Sequence, residues 1–267
     1  MRLLGRHTRN TTRVAALIAL CLALPSAAFG QSGPAKPATF SHAPFDALLR
    51  KHVDREGWVA YAALARDADR LDGYLKSIAA ADLTVMSRDE RLALLINAYN
   101  AATLRLILDH WPLKSIMDIP EEKRWKAVRW TIGSRTVSLD QLENEWIRPE
   151  FKEPRVHFAL NCASIGCPPL RAEAYTGDKL IRQLDDQTRR ALRSERWLKA
   201  NADASEVQAT KLFEWYGDDF GKTVAERLAF IARYVPAVAK RIAASQSVTL
   251  AFLEWDWSLN DCAPKPR

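Results

Sequence analysis

The chain has 267 residues, 48 % of them hydrophobic, and a formal net charge of +7 from 39 basic and 32 acidic side chains. Four of the basic residues and none of the acidic ones fall within residues 1–30, so the remainder carries a mild +3. That charge is too small to point to nucleic acid, while the apolar fraction suffices to bury a full core in one domain.

Residues 1–30 read as a secretory signal. Arg2, Arg6, Arg9 and Arg13 form a basic start, Val14 to Leu24 a short apolar run, and Ser26 to Gly30 a stretch of mostly small residues suited to cleavage after Gly30. The apolar run is too short to span a membrane, and no later stretch is read as a span. Leu20 precedes Cys21 where a lipid-anchor signal requires a small residue. The expectation is an exported protein, periplasmic or extracellular. Residues 31–44 read as a flexible leader, 45–262 as the domain, and 263–267 as a tail. The chain has no internal repeat.

Phe45, Leu48, Leu49 and His52 lie at helical spacing, and Gly57 stops that helix. Leu64 to Ile78 has helical spacing again. Ser87 and Glu90 stand three apart, as in a capping box, ahead of a helix expected to run to about His110. Apolar residues cover most of its circumference, which places Asn97 and Asn100 among buried groups that need partners. Their first reading is as clamps on neighbouring loop backbone; their second is as catalytic orienters or oxyanion donors. Pro112 ends the helix. Residues 128–138 read as a hairpin turning at Gly133-Ser134, followed by a second capping box, Ser138 with Gln141. Thr176 is expected to cap a helix through Leu192, and Asp218 or Asp219 the helix that starts near Val224. Val248 to Leu253 reads as a final strand. The fold class is α+β: a mostly helical domain around a small, largely antiparallel sheet.

The chemistry concentrates in residues 155–170, RVHFALNCASIGCPPL. The first half has the apolar alternation of a strand, which puts Val156, Phe158, Leu160 and Cys162 on one face and His157 and Asn161 on the other. That parity argues against a direct Cys162–His157 pair. Cys162 and Cys167 are spaced to close a loop, and an oxidising compartment favours a disulfide between them; Cys262 is then left over or replaces one of them.

Four blocks combine in order: Ile96 to Ala101 (INAYNA), His157 to Cys162 (HFALNC), Cys167 to Leu170 with Ala174 to Thr176, and Asp256 to Asn260 (DWSLN). Together they resemble domain-of-unknown-function family 547 over roughly residues 45–260. The resemblance implies no activity. In some relatives this domain is joined to glutaredoxin-like domains, which points to thiol chemistry.

Two main readings follow. One is a binding or assembly domain, with a protein or small-molecule partner, whose Cys162–Cys167 loop is structural. The other is a cysteine-dependent acyl-transfer hydrolase with Cys162 as nucleophile, His157 or His110 as base, and Asn97 or Asn100 as orienter. The first is preferred because structural cysteines are common in exported domains. A thiol-redox role fits less well, since the spacing is not Cys-x-x-Cys. Zinc on His157, Cys162 and Cys167 lacks a fourth ligand. No motif calls for a cofactor.

Overall fold

A computed structural model describes residues 39–200 and 203–262. The calls on residues 1–30, 31–38 and 263–267 lie outside the described residues.

Pro44 stands in the first turn of α1 (Ala43–His52), where its missing N–H costs nothing. The ordered body begins ahead of Phe45: His42 is buried with its Nδ1 2.8 Å from the Tyr74 hydroxyl, and Phe40 N–H donates to Glu90. A short extended piece around Val59 leads into α2 (Tyr61–Leu64), a 3-10 turn, and α3 (Ala68–Ala79), whose Leu71, Tyr74 and Ile78 are buried.

The longest helix is α4 (Arg88–Asp109). Ser87 Oγ accepts from Glu90 N–H at its start, but Glu90 does not close the expected box. Its carboxylate instead accepts from Phe40 N–H at 2.9 Å and Gly177 N–H at 3.1 Å, tying the helix start to two distant segments. Leu92 to Leu104 is buried without a break, Ala98 included. By length and composition α4 could cross a membrane, contrary to the reading that no later stretch comes near a span. However, 83 % of its most apolar stretch is buried inside this fold, as in a core helix.

The hairpin forms as expected. β1 (Trp130–Ile132) pairs antiparallel with β2 (Arg135–Val137) around Gly133, whose φ of +57° suits glycine. Gly133 N–H donates to Ile78 O at 3.0 Å, which clips the hairpin to the end of α3. The Ser138–Gln141 capping box is complete and opens α5 (Leu139–Gln141). The helix then widens into a π segment over Leu142–Ile147 and closes as α6 (Arg148–Phe151), running two residues past Pro149. Proline has no N–H for the ordinary ladder, and a π segment beside it is one way to carry the helix on.

α7 (Leu180–Leu192) starts after a turn and without a side-chain cap; Thr176 bonds Asp178 instead. β3 (Leu198–Ala200) and β4 (Glu206–Ala209), which the sequence did not announce, pair antiparallel. Two short helices follow, α8 (Leu212–Trp215) and α9 (Gly217–Phe220), then α10 (Val224–Ala232), α11 (Pro236–Ala243) and β5 (Thr249–Phe252). Thr223, not an aspartate, caps α10. β5 joins β4 in parallel, so two of the three strand pairings are antiparallel. The architecture is α+β, as expected. One apolar core surrounds α4, and a second gathers Phe158, Phe213, Phe220 and Phe230.

Irregular backbone runs between these cores, and α4 satisfies it. Asn100 Nδ2 donates to Ala159 O at 2.9 Å and its Oδ1 accepts from Asn161 N–H at 2.9 Å. Asn97 makes the same bracket on Tyr175, donating to its carbonyl at 2.8 Å and accepting from its N–H at 3.0 Å. Replacing Asn100 by alanine leaves Ala159 O and Asn161 N–H buried without partners. A loss of about 2–4 kcal/mol in unfolding free energy is expected, measured by urea titration.

Candidate functional site

The segment 155–162 is not a strand. Glu153 accepts from Arg155 N–H, Pro154 opens a 3-10 turn over Pro154–Phe158, and the chain continues as irregular backbone. The apolar alternation was real, but Val156, Phe158 and Leu160 bury themselves from a turn wedged between the two cores. The parity argument falls with the strand: His157, Leu160, Cys162 and Cys167 all line one cavity.

Side chains and neighbouring backbone hold the loop from Asn161 to Leu170. Asn161 Nδ2 donates to Pro168 O at 2.8 Å, and its Oδ1 accepts from Ala163 N–H at 2.9 Å. Ile165 and Gly166 N–H donate to Ser258 and Asp256 carbonyls, both at 2.8 Å, and Asn260 N–H to Ala163 O at 3.0 Å. Trp197 Nε1 is shared between the Gly166 and Cys167 carbonyls at 3.0 Å each. Ala163 takes a left-handed φ of +65°, a conformation that costs a non-glycine residue about 1–2 kcal/mol. Gly166 is required by space: a Cβ there would lie 2.7 Å from the Trp255 ring.

Cys162 and Cys167 have Cα atoms 6.3 Å apart and sulfurs at disulfide distance. Cys162 Sγ also lies 3.1 Å from Ser164 Oγ, which accepts from Trp255 Nε1 at 3.0 Å. Cys262 stands apart as an exposed free thiol, its pKa pushed up by partial burial and by Asp261. Among the described residues no group of three or more His, Cys, Asp or Glu side chains is arranged to hold a metal, so His157, Cys162 and Cys167 do not form the suggested zinc set.

His157 is buried and held between two acids. Its Nε2 lies 2.7 Å from Asp219 Oδ2, and its Nδ1 lies 3.7 Å from Glu143 Oε1 with no hydrogen-bond partner. Tyr216 stacks on the ring at 4.1 Å. Arg148 grips Asp219 with two contacts, 2.6 and 3.2 Å, and donates to Asn144 Oδ1 at 2.6 Å; Asn144 in turn donates to Asp140 at 3.1 Å. Burial alone would raise the Asp219 carboxyl, but His157 and Arg148 outweigh it and hold it well below the usual carboxylate range. An ionised carboxylate only accepts, so the His157 Nε2–H donates to Asp219. Burial first, and then the charge of Glu143, push the Tyr99 and Tyr216 hydroxyls upward.

The cavity encloses about 520 Å³. The π segment and its flank supply Asp140, Glu143 and Asn144; the stretch before the hairpin supplies Glu121, Arg124, Trp125 and Lys126; and the late chain supplies Trp215, Tyr216, Trp255 and Trp257. The Trp215 ring centre is 4.7 Å from that of Trp255 and 6.0 Å from that of Trp257, and Trp125 lies 5.9 Å from Trp257, so four indoles form one contiguous wall.

Of the sequence candidates, Cys162 and His157 meet at this cavity. Asn97 and Asn100 do not line it, and their amides are engaged by backbone. His110 ends α4 with Nδ1 3.0 Å from Leu106 O and does not line it either. Asp219 was read as a possible helix cap; its real partners are 71 and 62 residues away in sequence, a distance that local patterns do not reach. The aromatic cluster 213–220 and the WDW run 255–257 were the available signals for the wall.

A family model described as "Protein of unknown function, DUF547" matches residues 83–191. Those residues belong to the DUF547 family. The match covers α4, the hairpin, the π segment and the cysteine loop. It is shorter than the span expected from the four blocks, and the Asp256–Asn260 block lies outside it. So do Asp219 and the indoles of Trp215, Trp255 and Trp257: the DUF547 segment supplies the floor of the cavity and the late chain much of its wall. No curated protein and no solved structure matches the chain.

Two outcomes are expected. The denatured, unreduced full chain, with four cysteines, should show two thiols by thiol titration and four after reduction; four before reduction would remove the bridge. A carboxyl whose pKa is lowered in the folded state contributes stability above its unfolded value, and that contribution is lost as pH falls through the folded one. The stability of Asp219→Asn should therefore fall less steeply than that of the parent protein below about pH 4, by chemical denaturation across pH.

Proposed function

We propose that this protein is an exported binding domain that holds a small ligand in the indole-walled cavity above the Cys162–Cys167 loop. The observation that carries the reading is the cavity itself: about 520 Å³, within the range of small-molecule sites, with aromatic walls and a few convergent polar groups. Its floor is fixed by buried side-chain hydrogen bonds, so little ordering would oppose binding. The pattern of residues 1–30 supports export, and an oxidising compartment would keep Cys162 and Cys167 joined.

The acyl-transfer reading requires a free Cys162 thiolate, whereas its sulfur lies at disulfide distance from Cys167. Binding is therefore placed ahead of catalysis.

Titration with Nile red, a neutral dye whose emission reports apolar surroundings, tests the cavity. One saturable site is expected, with affinity lowered about tenfold in Trp257→Ala and Trp215→Ala, the cost of an aromatic contact removed. Unsaturable binding, or affinity untouched by both substitutions, would count against the cavity as a ligand site.

A further inference from the structure

We infer that the floor of this cavity receives an ammonium group, so that the ligand is an organic amine; the inference rests on the binding reading above and specifies its chemistry. The floor presents a buried carboxylate, Glu143, beside the His157 ring. His157, whose side chain is 1 % exposed, has its Nε2 committed to Asp219 and its Nδ1 without a partner. Glu143 Oε1 lies 3.7 Å from that nitrogen. Among the described residues Glu143 forms no ion pair with an arginine or lysine, although the charge of Arg148 reaches it, and Asp140, just before the widened segment, has only the Asn144 amide as a side-chain partner. A buried carboxylate with no arginine or lysine ion pair, next to a buried ring nitrogen without a hydrogen-bond partner, suits a group with several N–H bonds and a positive charge. A hydroxyl offers one hydrogen, and a carboxylate offers none and is repelled.

The walls favour the same charge. The indole cluster lines this space, and aromatic faces attract cations. The protein does this with its own guanidinium: Arg124 lies 5.4 Å from the Trp125 ring centre, with Nη1 on the weakly accepting Met117 sulfur at 2.9 Å. Arg124 and Lys126 are the cations of the lining, and both are more exposed than Glu143 and His157. Exposed charge is screened by salt and water; buried acceptors are not. The rim cations therefore suit the far end of a ligand, and the floor suits its amine.

The test uses the full chain and three matched probes, 2-phenylethylammonium, 2-phenylethanol and phenylacetate, with tryptophan fluorescence as the readout. The ammonium should bind about tenfold more tightly than the alcohol, and phenylacetate more weakly than either. Glu143→Gln should remove that advantage and leave the affinity for the alcohol unchanged, which also reports an intact cavity. Asp140→Asn should reduce it in the same direction, and serves alone if Glu143→Gln does not fold. Equal binding of ammonium and alcohol, tightest binding of phenylacetate, equal weakening of all probes by Glu143→Gln, or no binding of any probe at millimolar concentration would each overturn the inference. If Nile red still saturates one Trp257-dependent site, the cavity reading survives without the amine; if it does not, both fall.

Discussion

The structure depends on one requirement: the irregular backbone from Ala159 to Tyr175 is largely buried, and its N–H and C=O groups must find partners away from water. A buried group left unpaired costs about 1–3 kcal/mol. Two asparagines one turn apart on α4 meet this need, each presenting a donor and an acceptor to a single stretch of chain, much as a neighbouring strand would. Asn161 continues the pattern inside the loop, and Asn260, held by the Tyr61 hydroxyl at 2.7 Å, joins it from the far end of the chain. Side-chain amides thus replace a sheet where the chain cannot form one.

That substitution shapes the site. A strand would have sent His157 and Cys162 to opposite faces. A turn followed by clamped coil brings both to one cavity and leaves His157 to be fixed from the other side by Asp219 and Arg148. The widened helix adds Asp140, Glu143 and Asn144 to the same space, and the segment from Trp255 to Asn260 closes it while bonding the loop backbone. Floor and wall therefore come from parts of the sequence about 100 residues apart, joined by hydrogen bonds rather than by a shared sheet.

Much of this was legible in the sequence wherever the signal is local. Ser87 and Ser138 cap their helices, although only the Ser138–Gln141 box closes, and the Gly133 turn and the heavily apolar α4 behave as their spacing implies. Asn97 and Asn100 could be recognised as buried amides needing backbone partners, although not which backbone. The misreadings arose where tertiary packing overrides a local pattern. The alternation of Val156, Phe158 and Leu160 is satisfied by a turn between two cores, and β3 and β4 are short strands that long-range pairing with β5 helps to hold. Asp219 looked like a helix cap because a short acidic residue before a helix usually is one. Its pairing with His157 and Arg148 is set by the fold alone.

The account stands on the cysteine loop being a preformed floor, and amide hydrogen exchange tests that most directly. If the clamps hold, the N–H groups of Asn161, Ala163, Ile165 and Gly166 should exchange as slowly as the central amides of α4, opening only when the whole domain unfolds. Fast exchange of those four, with α4 still protected, would mean that the loop opens on its own and would contradict the account.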